Sequence, residues 1–156
     1  MNTEHYISFT GIAGITPVTS TFADVTRQLG TDYKVERIPS QQTERWTFPD
    51  KSILRYPAFN LAVVFIDPGF RLLPATKVSV IGAEVGCAFQ TVDGLCVGRP
   101  LADAIAIIDQ DYAVINQFAG CIEIVSADGK SPTFLGVHHG KDVVEFIGLY
   151  RRESGL

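Results

Sequence analysis

Two segments of this sequence carry the same residues at matching places. The segments "FADVTRQLGTDYKV" (22–35) and "LADAIAIIDQDYAV" (101–114) share Ala, Asp, Asp, Tyr and Val at the same five positions. Their upstream flanks, "ISFTGIAGI" (7–15) and "CAFQTVDGL" (87–95), align at a spacing of 80 residues. The spacing falls to 79 from Phe22 onward, because one residue is lost in a connection, where such changes are tolerated. The repetition predicts a chain built from two similar tandem units.

One amphipathic helix is predicted near the start of each unit. In "STFADVTRQLG" the apolar residues recur at the spacing of one helical face, Asp24 lies in the first turn and Gly30 can end the helix. The second helix has Pro100 at its first position, and we expect its apolar stripe to be more deeply buried. That stripe consists of Leu101, Ala104, Ile105 and Ile108. A tyrosine follows each helix, Tyr33 and Tyr112, and we expect each to pack against its helix.

Extended segments rich in β-branched and aromatic residues follow each helix. They are "YKVERI", "ERWTF", "SILRYPA" and "NLAVVFID" in the first unit, "YAVINQF", "CIEIVSA", "TFLGVHH" and "DVVEFIGLY" in the second, and a joining strand in "TKVSVIGAEVGCAF". "FPDKS" and "SADGKS" are interpreted as matching turns, and residues 60–66 are aligned with residues 141–147.

The predicted fold class is α+β, with two tandem pseudo-symmetric repeats at about 6–75 and 76–151. Each repeat is a short helix plus about four antiparallel strands. A half of this size buries too little surface to fold alone. We therefore expect the repeats to pack as one compact domain over residues 1–156.

The composition limits the partners of the chain. Its net charge of −4 would repel a phosphate backbone, so we expect no nucleic-acid partner. No apolar run approaches the roughly 18 to 20 residues of a membrane span, and "MNTEHYISFTG" lacks the pattern of a signal peptide. The three cysteines are odd in number and lie in apolar runs, which favours reduced thiols. We therefore expect a cytoplasmic protein that does not bind membranes.

Motifs with catalytic or metal-binding chemistry are almost absent. "DGKS" (128–131) imitates the end of a phosphate loop, but Ile124 stands where that motif needs glycine, so a hairpin turn is expected. His138 and His139 are neighbours on a predicted strand and should point to opposite faces, which disfavours a shared metal ion. A cysteine nucleophile with either histidine and Asp142 stays an alternative that no motif locates. We expect no cofactor, no metal and no enzymatic activity.

The stretch "RWTFPDKSILRYPAF" (45–59) is rich in aromatic residues and arginine, a composition enriched in protein interfaces. Alternation places Trp46 and Phe48 on one face, where the rings either fill the core, the simpler expectation, or stand exposed. Asp109 and Asp111 end the second helix, where the helix dipole disfavours acidic groups, so they serve either a turn or a partner. The predicted partner-binding residues are Trp46, Phe48, Arg55, Tyr56, Asp109 and Asp111.

The two-unit plan, with a helical element ahead of an antiparallel sheet in each half, resembles the β-lactamase inhibitory protein family. The openings "GITPVTSTFADVTRQLG" and "GLCVGRPLADAIAIID" are similar to the glycine-plus-amphipathic-helix start of small relatives of that fold. The family is secreted, with a signal peptide and disulfides that this sequence lacks, so its target and contact residues do not carry over. The resemblance implies a sheet presented to a protein partner.

The leading hypothesis is an acidic protein that binds and blocks another protein, most concretely a bacterial immunity protein that neutralises a cognate toxin. The aromatic residues would anchor the partner, and the carboxylates would steer a basic target. The alternative is an enzyme or a small-molecule-binding protein with its site between the two halves. A pocket with His138 or His139 beside a carboxylate would favour that alternative. The protein is expected to be a monomer or a homodimer.

Overall fold

Eight antiparallel strands form the main sheet in the computed structural model, which describes residues 6–152. The α+β class with a large antiparallel sheet is therefore confirmed. No helix in the described range is long and apolar enough to cross a membrane. In chain order the elements are β1 (Ile7–Ser8), β2 (Gly11–Ile12), α1 (Phe22–Leu29), β3 (Lys34–Ile38), β4 (Gln41–Gln42), β5 (Thr47–Phe48), β6 (Lys51–Tyr56), β7 (Leu61–Ile66), β8 (Val78–Ala83), α2 (Leu101–Asp111), β9 (Tyr112–Phe118), β10 (Cys121–Ser126), β11 (Thr133–His139) and β12 (Val144–Arg151).

The main sheet has the strand order β3-β6-β7-β8-β12-β11-β10-β9, and β1/β2 and β4/β5 form two separate two-stranded pairs. The strands β3, β6, β7 and β8 follow α1, and the strands β9 to β12 follow α2. The last strand of each half, β8 and β12, pair with each other at the centre of the sheet. Both halves therefore contribute to one continuous hydrogen-bonded surface.

Local sequence signals set the limits of both helices. Thr21 and Asp24 cap α1 reciprocally, since the Thr21 N–H donates to the Asp24 carboxylate at 2.9 Å and the Asp24 N–H donates to the Thr21 hydroxyl oxygen at 3.3 Å. Gly30 ends α1 at a φ of 89°, and Pro100 directly precedes α2. The predicted stripe of α2 is wrong at Ile105, which is 38% exposed. Ile107 packs against the core instead.

The core lies on one face of the main sheet. Side chains that alternate along the strands, such as Leu54, Val63 and Leu135, are fully buried there. Val25 of α1 and Ile108 of α2 belong to the same buried cluster. The helices therefore cover this face, and the alternate strand positions point to the opposite face.

Two sequence alignments do not follow the strand order. Residues 60–66 form β7, the third strand of the main sheet after α1, whereas residues 141–147 lead into β12, the fourth after α2. "FPDKS" connects β5 to β6, but "SADGKS" connects β10 to β11, so these turns are not counterparts. The sequence similarity between the two halves therefore rests on the segments close to the helices. Turn and strand composition alone does not determine which strands correspond.

The start of each helix is bonded to the segment that enters the last strand of its own half, β8 or β12. The Phe22 N–H donates to the Thr76 carbonyl oxygen at 2.8 Å, and the Leu101 N–H donates to the Asp142 carbonyl oxygen at 2.8 Å. Four residues earlier, the Val18 N–H bonds to Val78. These bonds anchor each helix to the sheet.

Candidate functional site

The candidate site lies on the face of the main sheet opposite the helices, and we call this face the open face. Its central row pairs Lys34, Arg55, Ala62, Gly82, Gly148, Gly136, Glu123 and Asn116 across the eight strands. Three glycines in register therefore occupy the middle of this face. Isolated glycines inside strands mark places where another group approaches the backbone closely.

Aromatic rings lie on this glycine row. The Phe146 ring occupies the space that a Cβ atom at Gly82 would need, and a Cβ at Gly136 would come within 2.9 Å of the Tyr150 ring. Tyr150 stacks on Phe134 with ring centroids 5.0 Å apart. All three aromatic side chains are half-buried. Because these glycines have no side chains, the aromatic rings lie in the space over the middle of the sheet.

A thiol, an imidazole and a phenol meet beside these rings. The Cys121 Sγ lies 3.9 Å from Nε2 of His138, and the Tyr150 hydroxyl lies 3.2 Å from the same nitrogen. Burial raises the pKa of Cys121, lowers the pKa of His138 and raises the pKa of Tyr150 to about 12. The thiol and the imidazole therefore stay neutral near pH 7. Cysteine nucleophiles need the thiolate, so the electrostatics of this pair do not favour covalent catalysis.

The segment 39–48 projects from the β3–β6 end of the sheet, and we call it the finger. Every one of its residues is exposed, including Trp46 at 66% and Phe48 at 43%. The expectation that these rings fill the core is therefore wrong, and "ERWTF" contributes only the two-residue strand β5. Asp50 holds the base of the finger, because its carboxylate accepts the N–H of Ser40 at 2.7 Å and that of Gly69 at 2.9 Å.

Arg55 and Tyr56 lie on opposite faces of β6. Arg55 is on the open face, where it forms ion pairs with Glu36 and Glu84, and hydrogen bonding to Glu36 raises its pKa. Tyr56 is 1% exposed, and its hydroxyl donates to the Gly30 carbonyl oxygen at 2.9 Å. A partner has no access to the Tyr56 ring, because strand alternation turns it into the core.

Asp109 and Asp111 are exposed at the end of α2, which lies on the covered face of the sheet. The structure therefore does not bring them together with Trp46, Phe48 and Arg55. A hydrogen bond with Asp93 raises the pKa of Asp111.

Three further sequence expectations are met by the structure. The turn reading of "DGKS" is confirmed, since the Asp128 carboxylate accepts the Lys130 N–H at 3.0 Å between β10 and β11. Tyr33 packs edge-on against Phe22 of α1, with ring centroids 6.4 Å apart. The cysteines are free thiols, as expected: Cys87, Cys96 and Cys121.

The two adjacent histidines differ from their prediction. A β-bulge shifts the register between His138 and His139, and both side chains line one open pocket with Glu84 and Glu145. Neighbouring side chains point to opposite faces only in a regular strand, so the bulge makes the predicted orientation wrong. Among the described residues, no three carboxylate, imidazole or thiol groups are placed to hold a metal ion.

Sequence reasoning missed Glu84, Glu145, Phe146 and Tyr150 as candidate site residues. The glycines inside the predicted strands were the available signal, since they indicated close approach of other groups to the backbone. Which side chains approach depends on strand order, which the sequence does not state.

Comparison of the chain with protein-family models, with curated proteins and with solved structures gives no match.

Proposed function

We propose that this protein binds another protein and blocks it, using the finger and the adjoining open face as its docking surface. The observation that carries the proposal is the exposure of Trp46 and Phe48 on a projecting segment. A partner that covers large exposed rings removes their apolar surface from water, which favours binding. Tryptophan is also among the residues that dominate interface energies. The most concrete form of this function is a bacterial immunity protein that occludes a toxin.

The charge of the molecule supports a basic partner. The chain carries a net charge of −4, and Asp109 and Asp111 add exposed carboxylates outside the docking surface. Such charges accelerate the encounter with a basic protein without contributing contacts of their own. Arg55 lies within the docking surface but is already paired with two carboxylates.

We also propose that the two halves are repeats of one unit, as in the β-lactamase inhibitory protein family. Each helix is followed by four strands of the main sheet, and the helix-anchoring bonds support the correspondence. Phe22 and Leu101 make corresponding bonds and are 79 residues apart. Val18 donates to Val78 and Gly98 donates to Val144, and these two donors are 80 residues apart. These are the spacings of the sequence repeat on either side of its one-residue deletion.

The single tryptophan makes the proposal directly testable. The partner is captured from the native host with the wild-type protein and identified by mass spectrometry, and the purified partner is then titrated against Trp46 fluorescence. We expect a blue shift and loss of iodide quenching as the indole is buried. Trp46→Ala is expected to weaken binding by about 2 kcal/mol or more, as for a central anchor.

Val92→Ala is the matched control, because Val92 is 79% exposed but lies outside the finger and the open face. It should bind the partner like the wild type. Equal affinity of the wild type and Trp46→Ala for the captured partner would refute the proposed docking surface.

A second candidate function is the binding or conversion of a small molecule between the halves. The pocket with His138, His139, Glu84 and Glu145 favours it. Binding of a metabolite at that pocket, with no protein captured through Trp46, would support this second function over the first.

A further inference from the structure

The pocket beside the two histidines is built by both halves of the chain. It is open to solvent, with a volume of about 540 Å³. Asn60 lies in the turn before β7, Glu84 directly follows β8, and Glu145 and Phe146 come from the start of β12. Four separate segments, β11 included, therefore contribute polar or aromatic groups to one recess at the end of the central strands.

The bulge in β11 directs both imidazoles to this recess. The Tyr150 hydroxyl lies 3.2 Å from Nε2 of His138, so this contact engages Nε2 and leaves Nδ1 outside it. His139 Nδ1 lies 2.8 Å from the Gly140 carbonyl oxygen, and because a carbonyl oxygen only accepts, Nδ1 donates. Each imidazole thus has one nitrogen outside these contacts.

The pocket has an excess of negative charge. Among residues 6–152, those that line it include Glu84 and Glu145 and no lysine or arginine. Arg55 pairs with Glu84 from outside the pocket, but Glu36 pairs with the same guanidinium at 2.9 Å. None of the ion pairs formed by the described residues involves Glu145. A cation entering the pocket would therefore meet an uncompensated carboxylate.

An aromatic wall completes the recess. The Phe146 ring is half-buried and lies over the glycine row, where the His138 ring meets it edge-on with centroids 5.4 Å apart. Ring faces attract cations, and guanidinium groups stack on them more often than ammonium groups do. Carboxylates beside such a ring provide acceptors for the planar N–H donors of a guanidinium.

We propose that this pocket binds the guanidinium group of an arginine side chain presented by the protein partner. Glu84 and Glu145 accept its N–H groups, and Phe146 supports its plane. The inference rests on the proposed function for the source of the arginine, and it adds the chemistry by which a basic partner is recognised. The pocket itself can be tested without the partner.

The test uses the whole purified protein and N-acetyl-arginine amide as the probe, followed by NMR. We expect saturable, millimolar binding with shifts at His138, His139 and Phe146. N-acetyl-citrulline amide has nearly the same shape without the charge and should bind at least about tenfold more weakly, since a charge-assisted bond is worth roughly that factor. Equal binding of the two probes, or no shift at the pocket with the arginine probe, would overturn the inference.

Two variants locate the binding. Glu84→Gln with Glu145→Gln should weaken arginine-probe binding about tenfold or more. Glu145→Gln alone leaves the Arg55 ion pairs in place, and we expect it to weaken binding severalfold in a fully folded protein. Asp103→Asn, an exposed position on α2, is the control that should bind like the wild type. Unchanged affinity in folded Glu145→Gln would also overturn the inference.

The outcomes separate this inference from the proposed function. Arginine-probe binding at the pocket together with a partner insensitive to Trp46→Ala would leave the pocket assigned and refute the docking surface. Partner binding through Trp46 without probe binding would refute the arginine pocket alone.

Discussion

Val18 and Gly98 show at the level of single residues how the two halves differ. Both donate a backbone bond to the first residue of the last strand of their half, β8 or β12, and both have positive φ, 68° for Val18 and 90° for Gly98. A β-branched residue is strained in this region of backbone conformation, whereas glycine is not. The first half therefore carries a local strain that the second half avoids.

Exchanging these residues should have opposite effects on stability. Val18→Gly removes left-handed strain of roughly 1–2 kcal/mol against a glycine entropy cost of about 0.5–1 kcal/mol, so we expect a net gain near 0.5–1 kcal/mol. Gly98→Val introduces the same strain and recovers the same entropy term, so it should lose about 0.5–1 kcal/mol, since no atom lies within 4 Å of the position that its Cβ would take.

Thermal unfolding of both variants measures the effect, with a change of about 2–4 °C in Tm per kcal/mol for a chain of this size. Destabilisation by Val18→Gly would show that the side chain of Val18 contributes more than its backbone strain costs.

At the level of elements, the glycine row leaves the space in which aromatic rings lie on the open face. The Phe146 ring lies where a side chain at Gly82 would project, and the ring also lies over Gly148. The rings and the strands are therefore packed as one layer. Adding a methyl group to the row must displace a ring.

Gly82→Ala is expected to destabilise the protein by about 1–3 kcal/mol, the usual cost of overpacking. Phe146→Ala removes the ring that clashes, so Gly82→Ala should cost less than about 0.5 kcal/mol in that background. Urea unfolding of the four proteins of this cycle gives the coupling. Additive effects would mean that the ring does not rest on Gly82.

The elements also show what the sequence could predict. All eight strands of the main sheet and both helices fall where alternation, capping residues and turn residues placed them. The exposure of Trp46 and Phe48 in the finger was not predicted, because their alternation is the same whether their strand is covered or not. The shared orientation of His138 and His139 was missed, because a bulge changes the side-chain period without a sequence signature of its own. The pocket could not be predicted, since its residues meet only through strand order.

At the level of the whole molecule, the two halves depend on each other through β8 and β12. These strands pair at Ile147–Ala83, Gly148–Gly82, Leu149–Ile81 and Tyr150–Val80. The core is one cluster that draws on both halves. Separating the halves would expose the inner edge of each four-stranded unit and one side of the core.

We therefore expect residues 1–86 and residues 87–156, made as separate fragments, to be largely unfolded alone. The small core of each fragment cannot offset its chain entropy. An equimolar mixture should recover the circular dichroism of the intact chain as β8 pairs with β12. Cooperative thermal unfolding of either fragment alone, at the Tm of the full chain, would contradict this interdependence.

The place of β12 in the sheet bears on how the chain is made. It is the last of the described strands to leave the ribosome, yet it occupies a central position between β8 and β11. Until it emerges, β8 has an unsatisfied row of N–H and C=O groups, and nascent chains on neighbouring ribosomes could pair through it. Synthesis of β12 covers this edge of β8, so slow translation of the β12 segment would prolong the exposure of β8 and favour misassembly.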